Sequence, residues 1–154
     1  MTYRTTVSRQ FVAQHFLTVP DPGPEGDLHS HVFSVEVTFA GPSLNDYDYL
    51  VDIDDVRAAL DAVEERYRDA TLNDLPEFDG YNPSVERFAR VVHDRLAPAA
   101  DDDPAESLRV TVWEDDEAAA GYEGPVGVEE TGNGGSDGTT GRDDDAAGPE
   151  HGDG

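Results

Sequence analysis

Apolar and polar residues alternate in two stretches of the chain, residues 31–39 and 107–115, and this alternation predicts β-strands. Residues 31–39, with the sequence HVFSVEVTF, place their apolar side chains on one face and their polar side chains on the other. Residues 3–16 are predicted to form an earlier strand that pairs antiparallel with this one across the loop VPDPGPEGD. Residues 107–115, SLRVTVWED, are predicted to form a later strand.

A period of three to four residues replaces this alternation in two other stretches and predicts helices. The first begins near residue 53, where Asp52 or Asp54 can cap it; its apolar positions are Ile53, Val56, Leu60, Val63 and Tyr67. The second covers NPSVERFARVVHDRLAP, with Asn82 as the predicted cap, Pro83 in the first turn and Pro98 as the stop. Strands followed by two helices and another strand predict an α+β fold with the helices on one face of the sheet.

Composition divides the chain into two parts. Eleven of the 15 glycines fall in the last 34 residues, which contain many acids and almost no apolar side chains. Such a stretch cannot bury enough apolar surface to offset its ordering entropy. We therefore expect a folded domain at residues 1–125 and a disordered acidic tail at residues 126–154.

The charge of the chain limits its partners. There are 35 acidic residues against 10 basic ones, all of them arginine, and the formal charge is −25. This charge favours a salt-rich cytoplasm, where screening weakens self-repulsion, and it disfavours general binding to nucleic acid or to anionic membranes. Neither a signal-peptide core nor a membrane-spanning run is present in the sequence, so we expect a soluble, cytoplasmic protein.

Histidines are the candidate metal ligands, because the chain has no cysteine. His29 and His31 point to the same face at the start of the second predicted strand, about seven ångströms apart. His15 lies near the end of the strand predicted to pair with it. Three imidazoles with an open fourth position are typical of catalytic zinc. The alternative is three ordinary polar residues near a loop.

Several short segments resemble the 6-pyruvoyl-tetrahydropterin synthase family, which includes the 6-carboxytetrahydropterin synthases of 7-deazaguanine (queuosine and archaeosine) synthesis. They occur in the family's order over residues 7–124: FVAQHFL, LHSH, YLVDIDDVRAAL, TLND, NPSVERFA, and VTVWED with a following GY. The resemblance implies a tunnelling fold, in which a four-stranded antiparallel sheet is backed by two helices. It also implies that subunits join edge to edge into a barrel, as trimers or hexamers, with the pterin pocket between subunits.

The same resemblance implies roles for individual residues. His15, His29 and His31 would bind Zn²⁺, which would orient and acidify the substrate's side-chain hydroxyls. Glu114 matches the glutamate that holds the N–H edge of the pterin through its two carboxylate oxygens. The alternative for Glu114 is one more acid on a very acidic surface.

The chain departs from the family at two catalytic positions. Glu25 stands where the pterin synthases have a cysteine that takes a proton from the substrate, and it resembles the glutamate of a subfamily that forms 6-hydroxymethyl-7,8-dihydropterin. Arg68 and Asp69 stand where the family has an Asp-His pair that relays protons. Asp69 is a candidate second carboxylate, and Arg68, with Arg9 and Arg109, is a candidate contact for a triphosphate. The alternatives are a loop acid and surface ion pairs.

Two classes of function follow. The first is a zinc-dependent lyase acting on 7,8-dihydroneopterin triphosphate, with 6-carboxytetrahydropterin or a hydroxymethyl pterin as its product. The second is a catalytically impaired homologue that binds zinc and pterin.

Overall fold

A computed structural model describes residues 1–127, which form one sheet with two helices against it. The strands are β1 (Tyr3–His15), β2 (His29–Gly41), β3 (Ser107–Trp113) and β4 (Ala119–Pro125), and the helices are α1 (Ile53–Tyr67) and α2 (Val85–Leu96). Short 3₁₀ turns lie at Gly23–Gly26, Leu72–Asp74, Pro76–Phe78 and Ala97–Ala100. Of the tail predicted at residues 126–154, residues 128–154 lie outside the described part.

The sheet is antiparallel throughout, with the strands in the order β1-β2-β3-β4. The predicted pairing of the first two strands is confirmed, and its register runs from Tyr3 opposite Gly41 to His15 opposite His29. Alternation did not identify β4. This strand, AAGYEGP, has one large apolar side chain, Tyr122, and therefore shows no period-two hydrophobic pattern.

Both predicted helices are present. Asp52 caps α1 by accepting a hydrogen bond from the backbone N–H of Asp54. The predicted cap of α2 is wrong by two residues: Ser84 accepts from the backbone N–H of Arg87, and the helix begins at Val85, after Pro83. Asn82 instead accepts a hydrogen bond from the backbone of Thr18.

The core lies between the helices and the inward face of the sheet. Phe88 of α2 is fully buried and makes edge-on contacts with Phe33 of β2 and Tyr67 of α1, at centroid distances of 5.3 and 5.2 Å. Removing a buried aromatic ring of this kind typically costs about 3–5 kcal/mol. The inward face of β2 continues from this core to His31 and His29, so the packing that orders Phe33 also sets the direction of the two histidines.

No helix within residues 1–127 has the length and apolar composition that crossing a membrane requires.

Candidate active site

The three predicted histidines come together at one end of the β1–β2 pair. His15 is paired with His29 across the two strands, and His31 follows two residues later on the same face. Their ring centroids lie 4.5 to 5.2 Å apart, and one possible ligand atom from each lies within 4.8 Å of the others. The strand register therefore forms the cluster from residues that are distant in the sequence.

Hydrogen bonds fix the orientation of two of these rings. The Nδ1 atom of His15 lies 2.8 Å from the carbonyl oxygen of Pro83, and that of His29 lies 2.8 Å from the carbonyl oxygen of Asp27. Since a carbonyl only accepts, each Nδ1 must carry the proton, which leaves a lone pair on Nε2. The Nε2 atom of His31 is buried without a hydrogen-bond partner among the described residues. This donor set fits a transition-metal ion that prefers nitrogen ligands.

Burial lowers the pKa of His15, which is 2% exposed. The hydrogen bond to Pro83 raises this pKa, the neighbouring rings of His29 and His31 lower it, and the Glu25 carboxylate raises it. The net direction favours the neutral imidazole, and only the neutral ring can offer a lone pair to a metal.

A cavity of about 200 Å³ opens beside His15. The carboxylate residues Glu25, Glu86 and Glu114 contribute to its wall. The other lining residues come from the segment after β1, the start of α2 and the residues just before it, the β3–β4 turn and the first residues of β4: Leu17, Asn82, Ser84, Val85, Ala118, Ala119 and Ala120. Two predicted site residues, Glu25 and Glu114, thus share one cavity with a predicted metal ligand.

A tight turn between β3 and β4 holds Glu114. The backbone N–H of Glu114 donates to the carbonyl of Ala118 at 3.1 Å. The Asp115 carboxylate accepts from the backbone N–H groups of Glu117 and Ala118, each at 2.8 Å, and these two bonds lower the pKa of Asp115. The turn places Glu114 in the wall of the cavity, and the apolar strand before it is anchored in the core.

Glu25 is exposed and lies in the 3₁₀ turn Gly23–Gly26. Its backbone carbonyl accepts a hydrogen bond of 2.8 Å from the N–H of Leu17, another residue of the cavity wall. Glu25 therefore sits on a loop that is tied to the end of β1.

Arg68 and Asp69 do not line this cavity. Arg68 caps the end of α1, and its exposed guanidinium lies 3.6 Å from the half-buried Glu64 carboxylate. Asp69 adopts a positive φ of 59°, and its N–H donates to the carbonyl of Val12 at 2.7 Å, beside the outer edge of β1. Within one chain, the structure does not bring these two residues to the histidines.

The other arginines considered for a triphosphate are also paired with acids. Arg9 contacts Asp61 at 2.6 Å and Glu64 at 2.9 Å, and Arg109 lies 3.7 Å from Glu123. Arg9 and Arg109 therefore each form an ion pair with an acidic side chain, which was the alternative to a role in binding triphosphate.

Sequence reasoning missed the contribution of the α2 start to the cavity wall. The available signal was the segment NPS, which was interpreted as a helix cap and as part of a segment that resembles the family, but not as part of the site. His93, by contrast, lies away from the cavity: it is buried at 4% exposure and packs edge-on against Tyr122 at 4.8 Å.

Comparison with known proteins gives consistent matches. A family model described as 6-pyruvoyl tetrahydropterin synthase matches residues 4–125. The 6-carboxy-5,6,7,8-tetrahydropterin synthase of Bacillus subtilis (strain 168) is 30% identical over 88 residues. This match covers 54% of the chain but only 58% of the length of that relative.

Solved structures show the same fold at low identity. The 6-pyruvoyl tetrahydropterin synthase of Caenorhabditis elegans has a TM-score of 0.67 at 15% identity, covering 80% of this chain and 96% of that one. A Plasmodium vivax 6-pyruvoyltetrahydropterin synthase, in a variant with alanine in place of a catalytic glutamate, has a TM-score of 0.66 at 14% identity. That match covers 82% of this chain and 99% of the other.

Proposed function

The chain belongs to the 6-pyruvoyl tetrahydropterin synthase family, and from this premise we propose that it is a zinc-dependent lyase acting on 7,8-dihydroneopterin triphosphate. One observation carries the proposal. A single cavity is lined by the candidate metal ligand His15 and by two carboxylate residues, Glu25 and Glu114, that can serve as a base and as a pterin anchor.

Glu114 is proposed to bind the pterin ring. A carboxylate offers two acceptor oxygens in one plane, and these match the adjacent N–H donors on the aminopyrimidine edge of a pterin. The anchor at the end of β3 would direct the substrate side chain toward the histidines. The cavity of about 200 Å³ is small for the whole substrate, so the triphosphate would extend outside it.

Glu25 is proposed to accept the proton from the substrate side chain. A zinc ion held by His15, His29 and His31 would orient the substrate's hydroxyls and make them more acidic. Glu25 and His15 line the same cavity, which supports a base beside the metal centre. The P. vivax relative, whose catalytic residue is described as a glutamate, supports the same assignment.

Asp69 and Arg68 are proposed to contribute to the active site of a neighbouring subunit, and not to that of their own chain. Asp69 lies beside the outer edge of β1, where a second copy of the chain can approach, and Arg68 is exposed next to it. In an oligomer with the pocket between subunits, Asp69 would be the second carboxylate, and the exposed Arg68 would exchange its partner Glu64 for phosphate oxygens.

The residue at position 25 bears on which product the protein forms. A glutamate in place of the family's cysteine supports cleavage to 6-hydroxymethyl-7,8-dihydropterin. The alternative product, 6-carboxytetrahydropterin, would place the protein in 7-deazaguanine synthesis. In either reaction the triphosphate leaves with a fragment of the side chain.

The test is turnover of 7,8-dihydroneopterin triphosphate in high salt by zinc-loaded protein, with products separated by chromatography. We expect turnover by the wild type and a loss of at least about 100-fold in kcat for Glu25→Gln, within the range for removing a general base. Glu65→Gln, which changes an exposed glutamate on α1, is the matched control.

Three results have distinct meanings. An unchanged rate for Glu25→Gln means that Glu25 is not the base. The identity of the product decides between the carboxy and the hydroxymethyl reactions. Tight pterin binding without any turnover contradicts the lyase proposal and favours the impaired binding homologue.

A further inference from the structure

Side chains hold the segment that follows β1, at the point where the pairing of β1 with β2 ends. The last pair of the β1–β2 ladder is His15 with His29, so Phe16 has no strand partner there. The Asn73 side chain takes that place: its Oδ1 accepts from the Phe16 N–H, and its Nδ2 donates to the Phe16 carbonyl, both at 3.0 Å. One amide thus satisfies both backbone groups of one residue, as a neighbouring strand would.

Two further contacts hold the same segment. Asn82 Oδ1 accepts from the N–H of Thr18 at 2.9 Å, and the Pro83 carbonyl accepts from the His15 ring at 2.8 Å. The metal ligand His15 and the residues that follow it are therefore fixed to the chain between the two helices.

This segment also carries Glu25. Within residues 1–127, the Leu17 N–H to Glu25 carbonyl bond of 2.8 Å is the one backbone hydrogen bond that links the turn Gly23–Gly26 to the end of β1. The turn itself has no buried residue, so packing contributes little to its placement. The position of Glu25 then depends on the position of Leu17, which depends on its neighbour Phe16.

We propose that Asn73 is a positioning residue that sets where the Glu25 carboxylate lies relative to the metal ligand His15. The inference rests on the proposed role of Glu25 as the base. Its physical basis is that a misplacement of about 1 Å in a catalytic group can lower a rate by about 100-fold.

An isosteric substitution isolates the contact that matters. Asn73→Asp keeps the oxygen that accepts from Phe16 N–H but sets a second carboxylate oxygen, in place of the Nδ2 donor, against the Phe16 carbonyl. Asn45→Asp is the matched control, since Asn45 is also half-buried and uses only Oδ1, which accepts from the N–H groups of Tyr47 and Tyr49 at 2.9 and 3.1 Å. Both variants add the same charge, but only Asn73→Asp loses a donor.

The experiment measures kcat, KM, bound zinc and amide hydrogen exchange of the full-length, zinc-loaded protein. For Asn73→Asp we expect kcat to fall at least about tenfold, with KM within about twofold, bound zinc unchanged, and faster exchange in peptides covering residues 16–28. Asn45→Asp is expected to match the wild type in all four. Asn73→Ala, which loses both hydrogen bonds without adding a charge, is expected to change in the same direction.

Several results would overturn the inference. One is a kcat for Asn73→Asp equal to that of Asn45→Asp. Another is a fall in kcat that is fully accounted for by a smaller fraction of folded or zinc-bound protein. Rapid exchange of the Leu17 amide in the wild type would also refute it, without any variant. If the wild type has no turnover but residues 16–28 still loosen in Asn73→Asp, the proposed function has failed while the contact network is upheld.

Discussion

His15 combines a buried ring with a defined proton position. The Pro83 carbonyl holds the proton on Nδ1, and burial lowers the pKa of the ring, so the neutral form with a free Nε2 is favoured at neutral pH. His31 presents a buried Nε2 without a partner among the described residues, a group that is costly to bury unless something binds it. A metal ion would remove this cost.

At the residue scale we expect one transition-metal ion per chain, and its loss when a ligand is removed. Protein purified without a histidine tag should contain zinc by elemental analysis, whereas His29→Ala and His31→Ala should lower metal affinity by well over tenfold, because each removes a direct ligand. His151→Ala, a histidine outside the described residues, is the control. Metal content that is equal in all four proteins would refute the three-histidine centre.

The two helices and the turn between them are linked by one carboxylate. Glu77 accepts hydrogen bonds from Arg66 and Tyr67 at the end of α1 and from Arg95 at the end of α2, at 2.6 to 2.9 Å. The Arg66 guanidinium holds the pKa of Glu77 well below its usual range, although partial burial opposes this shift. The pKa of Tyr67 is raised, mainly by burial of the ring and next by the hydrogen bond to Glu77.

At the element scale we expect Glu77→Gln to lower the free energy of unfolding by about 2–3 kcal/mol at pH 7, as the loss of charged hydrogen bonds predicts. Because the pKa of Glu77 is lower in the folded than in the unfolded protein, its stabilisation is complete above about pH 4.5 and is lost as the pH falls below that value. Urea unfolding at pH 7 and at pH 3.5 should thus show a smaller difference between variant and wild type at the lower pH. A difference that does not change with pH, or one as small as that of the exposed Glu65→Gln, would contradict this.

At the scale of the whole molecule, the sheet has two outer edges. β1 and β4 each have one neighbouring strand, and among the described residues the outer edge of β1 is bonded only near its end, by the bridge from Gln14 to Thr71 and by the hydrogen bond from the Asp69 N–H to the Val12 carbonyl. Unpaired strand edges favour association with another copy, which the barrel of a tunnelling fold would provide.

We expect the protein to be a trimer or a hexamer in high salt. Sedimentation equilibrium should give a mass three or six times the 16.7 kDa of one chain. A monomer at micromolar concentration would contradict both the barrel and the proposed contribution of Asp69 from a neighbouring subunit.

The net charge of −25 should make stability depend strongly on salt. Raising KCl from about 0.1 to 1 M shortens the Debye length from about 10 to 3 Å and weakens repulsion among the acids. The thermal midpoint should therefore rise with KCl and much less with an uncharged osmolyte. Equal responses to the two would show that charge screening is not the cause.

The sequence alone was sufficient for much of the architecture. Period-two alternation predicted β2 and β3, and the three-to-four residue period predicted both helices, because each pattern reports which side chains face a core. β1 was predicted as a long strand ending in the apolar segment FVAQHFL and pairing with β2. β4 was reached only through the family resemblance, since its small residues carry little periodic signal. The α2 cap was misplaced because Asn82, Pro83 and Ser84 each satisfy a local rule, and the choice among them depends on the contact between Asn82 and Thr18.

For the site, the sequence identified the candidate residues and the tertiary structure decided their neighbours. The histidines could be named in advance from their residue type and their places at strand ends, and Glu114 could be named from the family resemblance. Which residues share a cavity could not be deduced, since side chains from β1, α2 and the β3–β4 turn meet only when the sheet pairs and the helices pack. Hydrogen bonds between residues far apart in the chain keep Asp69 away from the histidines. Bonds of the same kind link Asn73 through Phe16 and Leu17 to Glu25. Local sequence patterns carry no information about such bonds.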